Sequence, residues 1–211
     1  MGRHRPAVRA AGRAVVGAQG RAGGGVLNRI FLVCHAATEA VRQARFPADE
    51  PLSRRPSAVA GPARLDRLAR GPELRCAQTA EALGWDAAVD DSLADLDHGS
   101  WRGRSLAEID QGDLMAWMTD PEAAPHGGEP VSSVLKRVAA WLDRASDVGR
   151  LGVVTSPAVV RAAVLAALGA PPSAFWRVDV SPSTVTQLTG APGRWTLRET
   201  GLPLDDPHTF G

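Results

Sequence analysis

The stretch "RIFLVCHAATEA", residues 29–40, contains the sharpest change of character in the chain. An apolar, branched run ends in Cys34 and His35, and small residues with a Thr-Glu pair follow. A continuous apolar run of this length predicts a central strand that is buried on both faces. Sites gather at the carboxyl ends of such strands, so His35 lies where a nucleophile or a general acid–base is expected. A histidine that only caps local backbone groups is the alternative.

The segments around this strand predict a single α/β domain. A second apolar run, "LGVVTS" at 151–156, predicts another buried strand, which ends in Thr155 and Ser156. Residues 91–130, rich in Gly, Asp, Trp and Pro, predict short helical pieces at best. The other predicted elements are helices over 72–84, 131–145 and 158–169, and a hairpin of strands over 183–190 and 194–200.

Length and charge set limits on the kind of protein. The chain has 211 residues, enough for one domain with a real core, and 24 basic against 23 acidic residues. Residues 1–25 hold five arginines and no acid, which leaves 19 basic against 23 acidic residues in the rest. We therefore predict a disordered basic tail over 1–25, a domain over 26–211, and no nucleic-acid partner.

Two further features of composition bear on the compartment. No apolar run approaches the ~20 residues of a membrane-spanning helix, so no membrane partner is expected. The chain has only two cysteines, which does not indicate a disulfide framework. Both observations favour a cytoplasmic protein.

Four candidate side chains besides His35 each have two interpretations. Arg75, near the start of a predicted helix, suits an anion or a surface salt bridge. Asp95, in "LADLDHGSWRG", could donate a proton or cap a turn. Glu129, after two glycines, suits a substrate loop or a helix N-terminus. Cys34 beside a histidine could be a thiolate nucleophile, but successive strand residues point to opposite faces. No cluster has metal-ligand spacing, so no metal is expected.

Five segments, taken in order, resemble the histidine phosphatase superfamily, and within it the small bacterial phosphatases of the α-ribazole phosphatase type. The family motifs are Leu-Val-Arg-His-Gly-x-Thr, Ser-Pro-x-x-Arg-Ala-x-Gln-Thr-Ala-Glu, Leu-x-Glu-x-x-x-Gly-x-Trp-Glu-Gly, Gly-Gly-Glu-Ser and Val-x-His-Gly-x-x-x-Arg. The corresponding segments here are "LVCHAAT" at 32–38, "GPELRCAQTAE" at 71–81, "LADLDHGSWRG" at 93–103, "GGEP" at 127–130 and "VTSPAVVR" at 154–161.

The resemblance implies a fold and a reaction. The fold would be phosphoglycerate-mutase-like, a three-layer α/β/α sandwich with a mostly parallel central sheet. The reaction would be hydrolysis of a small phosphorylated metabolite through a phosphohistidine at His35, with Asp95 as proton donor and no metal or other cofactor. The residues that the resemblance implies for the substrate and its phosphate are Arg75, Ser156, Cys34, Thr38, Arg45 and Glu129.

Two positions depart from the family pattern. Cys34 stands where the family has an arginine, and Ser156 where it has a second histidine. Removing one donor to a developing anion costs about 10²–10³ in rate, so both losses together could approach ~10⁴–10⁶. Arg102 or Arg104 could return a positive charge. The alternatives are a catalytically degenerate member that binds an anion or a partner, and an enzyme repurposed for His35/Asp95 acid–base chemistry on a non-phosphorylated substrate.

Overall fold

The central element of the fold is a six-stranded sheet. The computed structural model describes residues 28–56, 64–145, 148–206 and 208–210, so the predicted tail over 1–25 lies outside the described residues. The strand order is β3-β2-β4-β1-β5-β6. The strands are β1 (Asn28–Cys34), β2 (Arg67–Arg70), β3 (Ala88–Val89), β4 (Arg150–Thr155), β5 (Thr184–Ala191) and β6 (Arg194–Pro203).

The pairing of β1 with β4 places the carboxyl ends of these two strands side by side. β1 runs parallel to β4, and Cys34 is the partner of Thr155 in the register. β4, β2 and β3 continue the parallel part, whereas β5 and β6 form an antiparallel hairpin on the other side of β1. The chain therefore leaves the sheet at His35 and Ser156 on neighbouring strands, and the backbone N–H of His35 donates to the Thr155 carbonyl at 2.9 Å.

Helices cover both faces of the sheet and make three layers. The helices are α1 (Glu39–Arg42), α2 (Leu74–Ala82), α3 (Gln111–Thr119), α4 (Val131–Arg144) and α5 (Pro157–Leu168). Alternate residues of β1 enter two separate cores, because side chains of a strand point to opposite faces. Ile30 and Leu32 pack with α4 and α5, whereas Phe31 and Val33 pack with α2 and the C-terminal segment. The predicted α/β/α fold with a mostly parallel sheet is confirmed.

Most predicted elements are present, within two residues at nearly every boundary. The sequence pattern did not predict β2 and β3, because "RLAR" has two charged ends and "AV" is too short for a pattern. The short helical pieces predicted over 91–130 are present as α3 and three 3₁₀ turns. The bounds of α3 could not be predicted, because Trp117 is its one buried residue and there is no apolar stripe at helical spacing. Within the described residues, no helix combines the length and the apolar character that crossing a membrane requires.

Candidate active site

His35 is held in the tautomer that a nucleophile needs. The imidazole is 3% exposed at the end of β1. Its Nδ1 lies 2.8 Å from the carbonyl oxygen of Ala36, which can only accept, so Nδ1 carries the proton. Nε2 therefore keeps its lone pair, and the Nε–H of Arg75 donates to it at 3.2 Å. The lone pair is the group that can attack an electrophile.

Arg75 connects the histidine to two acids. Its guanidinium is almost wholly buried in the first turn of α2. Nη2 lies 2.6 Å from Oδ2 of Asp95, and Nη1 lies 3.7 Å from Oδ1 of Asp49. The three side chains His35, Arg75 and Asp95, which are 20 to 60 positions apart in the sequence, therefore form one contiguous group.

Asp95 is held as a carboxylate. The backbone N–H of Leu96 donates to Oδ1 at 2.8 Å, and the Ser156 hydroxyl donates to the same carboxylate. Burial alone would raise the pKa of Asp95, but Arg75, His98 and the Ser156 hydrogen bond outweigh it and hold the pKa below the usual 3.8. The side chain is consequently ionised near neutral pH.

His35 is neutral under the same conditions. Burial lowers the pKa of its imidazole below the usual 6.5, and the nearby positive charge of Arg75 lowers it further. The hydrogen bond to Ala36 and the charge of Asp95 act in the opposite direction but do not reverse the shift. A neutral imidazole whose Nε2 carries no proton is the nucleophilic form.

Cys34 and Ser156, which stand where the resemblance leads us to expect an arginine and a histidine, are both fully buried. Burial raises the pKa of the Cys34 thiol to about 12, so it is protonated and gives no support to a thiolate nucleophile. The Ser156 hydroxyl caps α5 by accepting from the backbone N–H of Val159 at 3.4 Å. Neither side chain brings a positive charge.

Thr38 and Arg45 lie near His35. Thr38 is fully buried and caps α1 by accepting from the backbone N–H of Val41 at 3.4 Å. Arg45 is exposed, and its Nη1 donates to the carbonyl of Gly103 at 3.1 Å. Both line the cavity that contains His35.

Glu129 lies apart from that group. Its carboxylate accepts from Nε and Nη2 of Arg137 at 2.8 Å and 3.0 Å. Arg137 also donates to the carbonyls of Ser92 and Asp95. Among the described residues, Glu129 is absent from the walls of both cavities beside Asp95. Through Arg137, Glu129 is linked to the segment that carries Asp95.

Two glycines let the acid segment pack against the turn before α4. A Cβ at Gly99, which has φ +47°, would lie 2.2 Å from the carbonyl oxygen of His126. A Cβ at Gly128 would lie 2.1 Å from the carbonyl oxygen of Asp97. Glycine is thus needed at both positions for the close approach of the two backbone segments. This approach holds the segment that carries Asp95 against the turn before α4.

Two cavities meet at the Arg75–Asp95 pair. The first, here called the acidic cavity, has a volume of about 220 Å³ and is lined by Pro47, Asp49, Pro72, Glu73, Arg75, Asp95, Leu96, His98 and Arg102. The second, the aromatic cavity, has a volume of about 200 Å³ and contains His35. Its other walls are Thr38, Ala40, Val41, Arg45, Pro47, Arg75, Asp95, Leu96, His98, Trp117, Pro157, Ala158, Arg161 and Trp176.

Arg102 and Arg104, the two arginines that the sequence suggested as replacement positive charges, lie outside the cavity that contains His35. Arg102 lines the acidic cavity and pairs with Asp97 at 2.9 Å, and its side chain is 60% exposed. Arg104 is exposed and donates to the carbonyl of Glu108. Neither lines the cavity that contains His35.

Among the wall residues that were not predicted for the site, Arg161, His98, Trp117 and Trp176 have polar or aromatic side chains. Arg161 occurs in the "VTSPAVVR" motif, five positions after Ser156, and that spacing was the available signal. His98 occurs in "LADLDHGSWRG", the segment that also carries Asp95, whereas Trp117 and Trp176 come from segments whose sequence shows no link to His35. Within the described ranges, no group of three or more His, Cys, Asp or Glu side chains could hold a metal ion.

Comparison with known proteins identifies the family through one family model. A model of the histidine phosphatase superfamily (branch 1) matches residues 30–202. The bifunctional protein Rv2228c of Mycobacterium tuberculosis is 34% identical over 137 residues, which cover 57% of this chain and 38% of that protein. The chain thus aligns with well under half of this curated relative's length.

Solved structures share the fold. The mycobacterial glucosyl-3-phosphoglycerate phosphatase Rv2419c, in complex with VO3, is 25% identical with a TM-score of 0.70, over 82% of this chain and 98% of that one. The α-ribazole phosphatase of Shigella flexneri is 19% identical with a TM-score of 0.69, over 82% and 96%. The second likeness shows the fold alone. With a family model that spans most of its length, the chain belongs to the histidine phosphatase superfamily.

Proposed function

We propose that this protein hydrolyses the phosphomonoester of a small metabolite through a phosphohistidine at His35. The observation that carries the proposal is the state of the imidazole, with Nδ1–H bound to the Ala36 carbonyl and the Nε2 lone pair beside Arg75. Membership of a family that includes phosphatases supports the same reaction class.

The first half of the reaction moves a phosphoryl group to the histidine. Nε2 attacks the phosphorus in line, the P–N bond forms, and the bond to the ester oxygen breaks. The leaving oxygen needs a proton, but Asp95 is ionised in the free protein. The monoanion of the substrate brings that proton. When Arg75 turns from Asp95 to the phosphoryl oxygens, the pKa of the carboxyl rises and Asp95 can relay the proton.

The second half returns the histidine. A water attacks the phosphohistidine, Asp95 takes its proton, and the P–N bond breaks to release inorganic phosphate. Arg75 and the N-terminus of α5 supply the positive charge that faces the phosphoryl oxygens. Because Cys34 and Ser156 add no charge, we expect slow turnover, lower by about 10²–10³ for each missing donor.

A second candidate function rests on the Arg75–Asp95 contact of 2.6 Å, with Asp49 at 3.7 Å. Two acids already neutralise the buried arginine, so a phosphate dianion must compete for it. An uncharged substrate that uses His35 as base would leave the pair intact. The same site would then perform acid–base chemistry without a phosphoryl intermediate.

The test is turnover on a panel of sugar, nucleotide, α-ribazole and aryl phosphates. We expect measurable hydrolysis by the wild type and none by His35→Ala. His208→Ala is the matched control, because His208 is exposed and lines neither cavity, and it should keep full activity. Hydrolysis that survives in His35→Ala would contradict the proposal.

A restored variant separates the remaining alternatives. Cys34→Arg/Ser156→His returns both family residues to the pocket. Phosphatase activity that appears only in this variant would mean that the natural chain does not hydrolyse phosphomonoesters. It would then be a ligand-binding member of the family or a repurposed enzyme. Circular dichroism must accompany the assay, since both positions are fully buried.

A further inference from the structure

The aromatic cavity is large enough for one ring and is placed to receive a leaving group. Its volume of about 200 Å³ exceeds that of the ~150 Å³ apolar cavity known to hold benzene. His35, Arg75 and Asp95 stand in its wall, so a phosphoryl group beside His35 leaves the rest of the substrate inside this space. This inference rests on the proposed function for the position of the phosphoryl group.

Aromatic and aliphatic side chains make up much of the cavity wall beyond His35, Arg75 and Asp95. Trp117 and Trp176 lie with their ring centroids 4.3 Å apart, and both face the cavity. Val41, Pro157 and Ala158 complete this part of the wall. A polyhydroxylated leaving group such as a sugar would lose its water against these apolar side chains without regaining hydrogen bonds from them, whereas a flat aromatic group loses little and gains ring contacts.

Arg161 brings a positive charge without a direct ion-pair partner among the described residues to the same cavity. Its Nε donates to the Val178 carbonyl at 2.9 Å, and its guanidinium lies 5.5 Å from the ring centroid of Trp176. No carboxylate of the described residues forms an ion pair with it, unlike Arg75, Arg45 and Arg102. The side chain is half-buried, and Asp179 and Asp95 act on its charge without forming an ion pair with it. A half-buried charge with no carboxylate in direct contact favours an anionic ligand.

We propose that the leaving group of the substrate is a flat aromatic group with an acidic substituent, packed against the wall that Trp117 and Trp176 form, with its acid against Arg161. The scissile phosphate lies at His35 and Arg75, and the second anion lies at the Trp176 side of the cavity. The substrate class is therefore an aryl or heteroaryl phosphomonoester that also carries a carboxylate or a similar acid.

The test compares substrates of equal shape and different charge. Steady-state kinetics give kcat/KM for the meta and para isomers of carboxyphenyl phosphate, for the matching carbamoylphenyl phosphates and for glycerol phosphate. We expect at least one carboxylate to be preferred over its amide by about tenfold or more, since a charged hydrogen bond is at stake. Carboxyphenyl and carbamoylphenyl phosphates should both have a higher kcat/KM than glycerol phosphate. Equal rates for acid and amide, or a better rate for glycerol phosphate, would overturn the proposal.

Variants assign the preference to one arginine. In Arg161→Gln the ratio of acid to amide should fall to about one. Arg177→Gln removes the same charge one residue beyond Trp176, at an exposed position outside the cavity, and should keep the wild-type ratio. A ratio of acid to amide kcat/KM that persists in Arg161→Gln would show that this side chain does not recognise the acidic substituent.

Binding of the dephosphorylated products tests the subsite without turnover. Isothermal titration of the meta and para isomers of hydroxybenzoate against the matching hydroxybenzamides should show tighter binding of an acid, lost in Arg161→Gln and kept in Arg177→Gln. That result without any phosphatase activity would retain the subsite and reject the proposed function. Phosphatase activity with no preference for acids in binding or turnover would do the reverse.

Discussion

At the scale of single residues, the protonation states of His35 and Asp95 decide how the reaction starts. Both pKa values are lowered, by burial and Arg75 for the histidine and by Arg75 against burial for the acid. The free protein at pH 7 thus holds a nucleophile and a carboxylate but no proton donor in the pair. The proton for the leaving group has to enter with the substrate.

This protonation pattern predicts an activity optimum on the acid side of neutrality. The second ionisation of a phosphate monoester lies near ~6, so the monoanion becomes scarce as pH rises above it. We expect kcat/KM to fall by about tenfold per pH unit above pH ~7. Loss of kcat/KM through protonation of His35 should begin only below pH 6.5, because burial lowers the pKa of this imidazole from that usual value. The measurement is a pH profile of kcat/KM, and a profile that is flat from pH 6 to 9 would contradict this prediction.

The cysteines give a second prediction at this scale. Burial raises the pKa of both the Cys34 thiol and the Cys76 thiol, to about 12 for Cys34, so neither forms a thiolate near pH 8. We expect iodoacetamide to label neither cysteine in the folded protein and both in urea, measured by intact mass. Rapid labelling of native Cys34 would instead indicate an accessible, reactive thiol.

At the scale of elements, Arg137 joins α4 to the segment that carries Asp95. Its guanidinium contacts Glu129 and the carbonyls of Ser92 and Asp95, and it is only 23% exposed. Arg137→Gln should therefore lower the free energy of unfolding by about 2–3 kcal/mol and also lower kcat. The readouts are urea denaturation and steady-state kinetics.

Arg144 offers the matched control on the same helix. It is exposed and donates to the Ser92 hydroxyl at 3.1 Å, without a contact to Glu129 or Asp95. Arg144→Gln should cost less than about 0.5 kcal/mol and leave kcat unchanged. Equal effects of the two substitutions would show that the Arg137 contacts do not position Asp95.

The sequence predicted the strands and helices that their own residue pattern defines. It did not predict those that depend on contacts with distant parts of the chain. The apolar run of β1 and the stripe of α4 were sufficient to predict those elements, because burial of their own side chains defines them. β2 is a strand because β4 pairs with it, which its own residues do not show. In the site, family motifs pointed to His35 and Asp95, but Trp176 joins them only through the packing of α3 and the segment after α5.

At the scale of the whole molecule, buried histidines make stability depend on pH. Burial lowers the pKa of His35, His98 and His126 below 6.5 in the folded chain. The unfolded chain binds more protons below that pH, so acid favours unfolding. The pKa of Asp95 is also lowered in the fold, and its contribution to stability is present above pH 3.8 and lost only below it.

We therefore expect the free energy of unfolding to be nearly constant from pH 7 to 8 and to fall from pH 6.5 to 5. Each histidine that stays neutral in the fold contributes a slope of up to about 1.4 kcal/mol per pH unit. Urea denaturation across this range measures the slope, and His98→Asn should reduce it. Stability that is constant down to pH 5 would show that these histidines are protonated in the folded protein.

The central claim is that His35 carries the phosphoryl group during turnover. The most direct measurement is rapid mixing with an aryl phosphate, an alkaline quench that preserves phosphohistidine, and peptide mass mapping. We predict one added phosphoryl group on the peptide that contains His35, and none in His35→Ala. Substrate hydrolysis by the wild type with no phosphoryl group on His35 at any time point would contradict the account.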